Sequence, residues 1–177
     1  MKLVGFTGVS RSGKSTAATL FAGGDGPVFA FSKPFKRMLI DLYDQVGLSR
    51  DEITARIEGP LKDTPDPLFH DKTPRDMMIW LGQSGRQQVH RDIWVDVTRH
   101  KILKMAASKR VAVNDVRQES EAAMIRNLGG SIVLIYGRGK HSGDQTDDEI
   151  PSDLIDYTIR NDGSIDDLKD KIKSLLG

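Results

Sequence analysis

There is no cysteine among the 177 residues, so disulfides, thiolate zinc sites and cysteine nucleophiles are excluded together. An excess of either charge is also missing. The 26 Lys plus Arg stand against 25 Asp plus Glu, and a formal net charge of +1 argues against a general polyanion-binding surface. No apolar run approaches the roughly 20 residues of a membrane-spanning helix, and the start Met1 to Gly8 is too soon broken by glycine to resemble a signal peptide. The histidines, His70, His90, His100 and His141, lack His-x3-His spacing and no Ser/His/Asp order stands out, which makes zinc sites and hydrolytic triads poor readings. Internal repeats and low-complexity tracts are absent as well. The expectation is a cytoplasmic chain of one domain, 1–177, that holds any metal as a hard ion on oxygen.

What is present begins with Gly8-Val9-Ser10-Arg11-Ser12-Gly13-Lys14-Ser15, a full Gly-x4-Gly-Lys-Ser phosphate-binding loop directly after an apolar run. Glycines let the backbone approach phosphates, and the N–H groups at the start of the next helix favour an anion. In that context Lys14 reaches the β- and γ-phosphates and the Ser15 hydroxyl suits Mg2+. Strand-like runs at 3–7, 28–31, 111–114, 132–136 and 157–159 alternate with longer helical stretches, which predicts an α/β fold with a parallel sheet covered on both faces.

Ile165, Leu168, Ile172, Leu175 and Leu176 form one stripe of a last helix, capped by Ser164 and Asp167. Thr73-Pro74-Arg75-Asp76 opens another helix that should run from 74 to about 88. Prolines at 60, 65 and 67 make 59–72 a loop, either a mobile cover over a site within a broader substrate segment, 49–73, or a plain surface connection. A second loop, 137–152, places Arg138, Lys140 and His141 ahead of Asp147, Asp148 and Glu149, where a phosphate-closing lid could use them.

Parallel sheets collect functional groups at the carboxyl ends of their strands, so Asp115 and Arg117, just past the third run, are the next candidates. Asp115 could hold Mg2+ or cap a helix, and Arg117 could clamp a phosphate. Arg75, Ile79, Gly82 and Arg86 share a helical face, where the glycine could leave room for a flat group. Gln83 lies beside them with an amide suited to a base edge, Trp94 could stack on a base or fill a core, and Lys36 could sit near a helix start. A lysine in a phosphate loop, a metal-binding hydroxyl, a carboxylate and several arginines suit phosphoryl transfer.

With these motifs in order the chain resembles the phage-type deoxynucleoside monophosphate kinases, within the P-loop nucleoside monophosphate kinase group. The resemblance is carried by the phosphate loop, Pro34-Phe35-Lys36, Arg75 with Leu81-Gly82-Gln83 and Trp94, Asp115-Val116-Arg117-Gln118 with Glu121, Gly129-Gly130, and Ile159 through Ser164. It spans residue 1 to about 175 and implies a three-layer, five-stranded, adenylate-kinase-like P-loop kinase fold. It further implies transfer of the ATP γ-phosphoryl group to a deoxynucleoside monophosphate. Residue by residue, Ser10, Arg11, Ser12, Gly13, Lys14, Ser15 and Thr16 would hold the donor, with Arg160 and Asn161 near its adenine. Lys36, Arg75, Gly82, Gln83, Trp94, Asp115, Arg117, Gln118 and Glu121 would surround the acceptor. Lys14, Arg11, Asp115 and Arg117 would be catalytic, and Ser15 and Asp115 would face Mg2+. No membrane or nucleic-acid partner is expected, while a homodimer stays open. So do two alternatives: a P-loop kinase acting on a modified nucleotide or a base in DNA, and a non-catalytic nucleotide-binding switch.

Overall fold

Five apolar runs become five parallel strands, β1 (Lys2–Thr7), β2 (Val28–Phe29), β3 (Arg110–Val113), β4 (Ser131–Tyr136) and β5 (Tyr157–Arg160), in the order β2-β3-β1-β4-β5. The computed structural model describes residues 2–23, 26–105, 110–139 and 150–175. Seven α-helices are present among those residues: α1 (Lys14–Ala22), α2 (Lys33–Gln45), α3 (Arg50–Ile57), α4 (Pro74–Ser84), α5 (Ile93–Leu103), α6 (Glu119–Asn127) and α7 (Ile165–Ser174). The chain divides into two compact units, Met1–Phe31 with Thr98–Gly177 and Ser32–Val97.

In the first unit β1 lies at the centre, in register with β3 through Val4↔Ala112 and with β4 through Phe6↔Val133. Both faces of the sheet are covered, so the strands read as continuous apolar runs rather than alternating ones. Val4, Phe6, Val133 and Ile135 point into a core with Ala17, Ala18 and Phe21 of α1 and Leu168 and Ile172 of α7. Phe6 and Phe21 meet edge to face with centroids 6.0 Å apart. The opposite face carries α6, and a side chain at Gly5 would meet Ile125 Cδ1 at 2.5 Å, so glycine leaves room for Ile125 against β1. These layers make a three-layer α/β fold around a five-stranded parallel sheet, as the sequence indicates.

β2 is shorter than expected, because the N–H of Phe31 leaves the ladder and donates to Asp115 Oδ1 at 2.7 Å. The two foreseen helix starts carry their capping boxes: Asp76 N donates to Thr73 Oγ1 at 3.0 Å, and Asp167 N donates to Ser164 Oγ at 3.1 Å. The helix from Pro74 ends at Ser84, not near 88, and widens into a π-helical turn over Gly85–Val89.

The second unit is held by Leu39, Tyr43, Ile53, Ile57 and Met78, with Phe35 and Phe69 packed against them. Its segment 49–73 includes α3, which the proline pattern hides and a Ser49–Glu52 capping box starts. Residues 59–72 form two short 3-10 turns, Pro60–Asp63 and Pro67–Phe69, each with proline in the first turn. They are tied down by buried Asp66, whose Oδ2 accepts from Tyr43 Oη and Arg56 Nε, both at 2.9 Å. Burial alone would raise the Asp66 pKa, but the Leu68 N–H, the Tyr43 hydroxyl and the Arg56 guanidinium outweigh it and hold the carboxyl below its ordinary range.

Candidate functional site

The phosphate loop turns sharply between β1 and α1 because Gly8 and Gly13 adopt φ of 135° and 104°. Space enforces the same choice: a Cβ on Gly8 would lie 2.2 Å from Ile135 O, and one on Gly13 would lie 2.3 Å from Asn161 Nδ2. Arg11 has φ 61°, a left-handed conformation that side-chain-bearing residues rarely adopt, and strain of this kind concentrates at ligand clamps. Arg11, Gly13, Lys14, Ser15 and Thr16 line a cavity of about 300 Å³ at the start of α1. Ser12 is fully buried, and its Oγ has no hydrogen-bond partner among the described residues.

Lys14 is mostly buried, and its Nζ donates to Gly8 O at 2.7 Å and Val9 O at 2.6 Å. The lysine therefore closes its own loop as well as facing the cavity. Ser15 Oγ accepts from Asn114 Nδ2 at 3.4 Å, so the end of β3 reaches the head of α1. Asn114 was not among the sequence candidates; its position just before Asp115 at a strand end was the available signal.

Asp115 holds the edge of β2 through Phe31, as described above, and adjoins Asn114 in the chain. Glu121 is buried, and its Oε2 accepts from the backbone N–H groups of Arg117 at 2.8 Å and Gln118 at 3.1 Å. Gln118 is the N-cap of α6. Glu121 thus shapes the turn that carries Arg117. Asn161, expected near the adenine, is also buried, and its Nδ2 donates to Ser12 O at 2.8 Å. It braces the phosphate loop from behind. Arg160, beside it, is exposed and pairs with Asp162 at 2.6 Å.

Gly139 rests on the same loop: a Cβ there would come within 2.1 Å of Ser10 O. Arg138 donates to the carbonyl of Gly163. Residues 140–149 of the expected lid, with Lys140, His141, Asp147, Asp148 and Glu149, lie outside the described residues.

In the second unit, Lys36 Nζ pairs with Glu58 Oε1 at 2.8 Å and Arg75 Nε with Asp63 Oδ1. Lys62 lies within electrostatic reach of both cations: burial, then Lys36, then Arg75 lower its pKa. The room expected beside Gly82 is filled, since Phe35 Cζ lies 3.4 Å from where a Cβ would stand. The Gly82 carbonyl accepts from Trp94 Nε1 at 2.8 Å and from Arg86 Nη1 at 3.5 Å. Trp94 is 5% exposed and packs against Phe35 in a T-shaped contact with ring centroids 5.2 Å apart, so it fills the core of this unit. Gln83 keeps partial exposure.

The family model described as deoxynucleotide monophosphate kinase matches residues 72–172. The chain belongs to that family. The matched span holds Arg75, Asp115, Arg117 and Asn161 but not the phosphate loop, so the two observations are independent. A curated relative from Acanthamoeba polyphaga mimivirus, named "Putative deoxynucleotide monophosphate kinase", is 28% identical over 99% of this chain and 96% of its own. Among solved structures, TT1252 from Thermus thermophilus is similar at a TM-score of 0.53 and 15% identity, covering 99% of this chain and 96% of that one, a likeness of fold. As a member of the family, the chain is a phosphotransferase of the kinase class.

Proposed function

We propose that this kinase transfers the γ-phosphoryl group of ATP to a deoxynucleoside monophosphate, giving the diphosphate and ADP. The observation that carries the reading is the folded phosphate loop, with Lys14 and Ser15 at the head of α1 and Arg11, in a left-handed conformation, lining the same cavity. Arg11, Lys14 and the loop N–H groups take the donor phosphates, which replace the Gly8 and Val9 carbonyls on the Lys14 ammonium. In the second unit Lys36 and Arg75 take the acceptor phosphate; in the first, Arg117 is a phosphate clamp. Mg2+ fits the donor set at Ser15, since this ion takes one or two protein oxygens and completes its shell with phosphate and water. When bound, it neutralises charge on the β- and γ-phosphates.

An acceptor phosphate oxygen forms the new bond to Pγ as the bond from Pγ to the β,γ-bridging oxygen breaks, and ADP leaves with that electron pair. The acceptor is already an anion at neutral pH, so no general base is needed. Catalysis is then positioning and charge neutralisation by Lys14, Arg11 and Arg117. Asp115, anchored on Phe31 N, holds the end of β3 and would, with Ser15, help hold the metal.

The test is ADP release with dAMP, dCMP, dGMP, dTMP and base-modified forms as acceptors. Turnover with one or more of them is expected, and silence with all of them would refute the reading.

A further inference from the structure

The segment between Lys36 and Arg75 carries a cation that no motif identifies. Lys62 sits on the turn Pro60–Asp63, partly buried, with burial and then the charges of Lys36 and Arg75 depressing its ammonium pKa. The turn's position is fixed. A Cβ on Gly59 would come within 2.8 Å of the Ala55 backbone, so glycine lets the turn seat against α3, and Lys62 N donates to Gly59 O at 3.3 Å. Three like charges drawn together in one small unit are unfavourable unless an anion compensates them.

Two carboxylates four residues or fewer from Lys62 in the chain supply compensation: Glu58 pairs with Lys36, and Asp63 pairs with Arg75. They are the loose partners. The side chains of Glu58 and Asp63 are 60% and 61% exposed, against 25% and 34% for Lys36 and Arg75. An incoming dianion can therefore displace both carboxylates into water while the cations stay where packing holds them.

The geometry points to Lys62 as a third ligand of the acceptor's phosphate, with Glu58 and Asp63 as exchangeable stand-ins that an arriving monophosphate displaces from Lys36 and Arg75. This rests on the proposed kinase reading and adds to it a residue and an exchange. Lysine suits the part because its ammonium is a point charge on a flexible stem, able to follow a phosphate that the Arg75 fork fixes in the plane.

The experiment is calorimetric titration of the full chain with dAMP, dCMP, dGMP, dTMP and inorganic phosphate, paired with steady-state kinetics. The proteins are wild type, Lys62→Ala, Lys62→Arg and Glu58→Gln, each checked by thermal melting. Lys62→Ala should raise Kd and KM for the preferred monophosphate about tenfold, close to 1.4 kcal/mol, while KM for ATP stays within about twofold. Lys62→Arg should recover most of the loss, and Glu58→Gln should tighten both the monophosphate and inorganic phosphate by removing their competitor. Wild-type monophosphate affinity in a folded Lys62→Ala, or equal weakening of ATP, would overturn the inference and leave the kinase reading intact. If the wild-type chain bound none of the monophosphates, the kinase reading itself would fail and this inference with it.

Discussion

Asn161 shows how a buried amide can govern a loop it does not belong to. Its Nδ2 donates to Ser12 O at 2.8 Å and fills the space that a side chain on Gly13 would need. Asn161→Ala leaves that carbonyl unpaired, so a loss of about 1–3 kcal/mol in stability is expected by thermal melting. KM for ATP should rise with little change in KM for the acceptor; the opposite split would contradict the bracing role. Lys14 is more entangled than a loop lysine read from a motif, because two carbonyls of its own loop accept from it. Lys14→Ala should lower turnover by about 10²–10³-fold or more in ADP release, with a modest fall in melting temperature as those carbonyls lose their donor. The phosphate loop was legible residue by residue, since its function and its spacing are the same fact. Glu121 and Trp94 were not. A buried carboxylate on two backbone N–H groups, or an indole on a carbonyl, looks in sequence like any polar or aromatic residue near a site.

At the scale of elements, the foreseen caps at Thr73 and Ser164 formed because a capping box is local chemistry within four residues. Segment 59–72 was harder to read, since its anchor depends on Tyr43 and Arg56, far along the chain from Asp66. Asp66 has a depressed pKa in the folded state, so its contribution to stability is fully present above the unfolded carboxylate pKa near 3.9. It is lost as pH falls through the folded value. Asp66→Asn should therefore flatten the acid limb of the stability–pH curve below about pH 4. At neutral pH, truncation to Asp66→Ala should cost about 3 kcal/mol or more, because Arg56 is left without its partner. Denaturant melts from pH 2 to 7 check both, and an unchanged acid limb in Asp66→Asn would count against the anchor. The α4 boundary was misplaced for a related reason. The turn at Gly85–Val89 widens where Trp94 packs, and a Cβ on Gly85 would lie 2.3 Å from Trp94 Cζ2.

At the scale of the whole molecule, five apolar runs announced a parallel sheet, but not that β1 would lie between β3 and β4. That order depends on how crossovers pack, which no window of sequence contains. Its consequence for function is that the carboxyl ends of β1, β3 and β5 deliver Lys14, Asn114 and Asn161 to one loop. The same packing sets the fold's tolerance: Phe21→Ala, which empties the core between α1 and the sheet, should cost about 3–5 kcal/mol in urea unfolding. A smaller loss would show that α7 closes over the space. Whether the loop serves phosphoryl transfer is decided by one comparison, ADP release with the four deoxynucleoside monophosphates by the wild-type chain and by a folded Lys14→Ala. Phosphoryl transfer at this loop predicts acceptor-dependent release by the wild type that collapses in the variant. Release that is independent of the acceptor, or unchanged without Lys14, would contradict it.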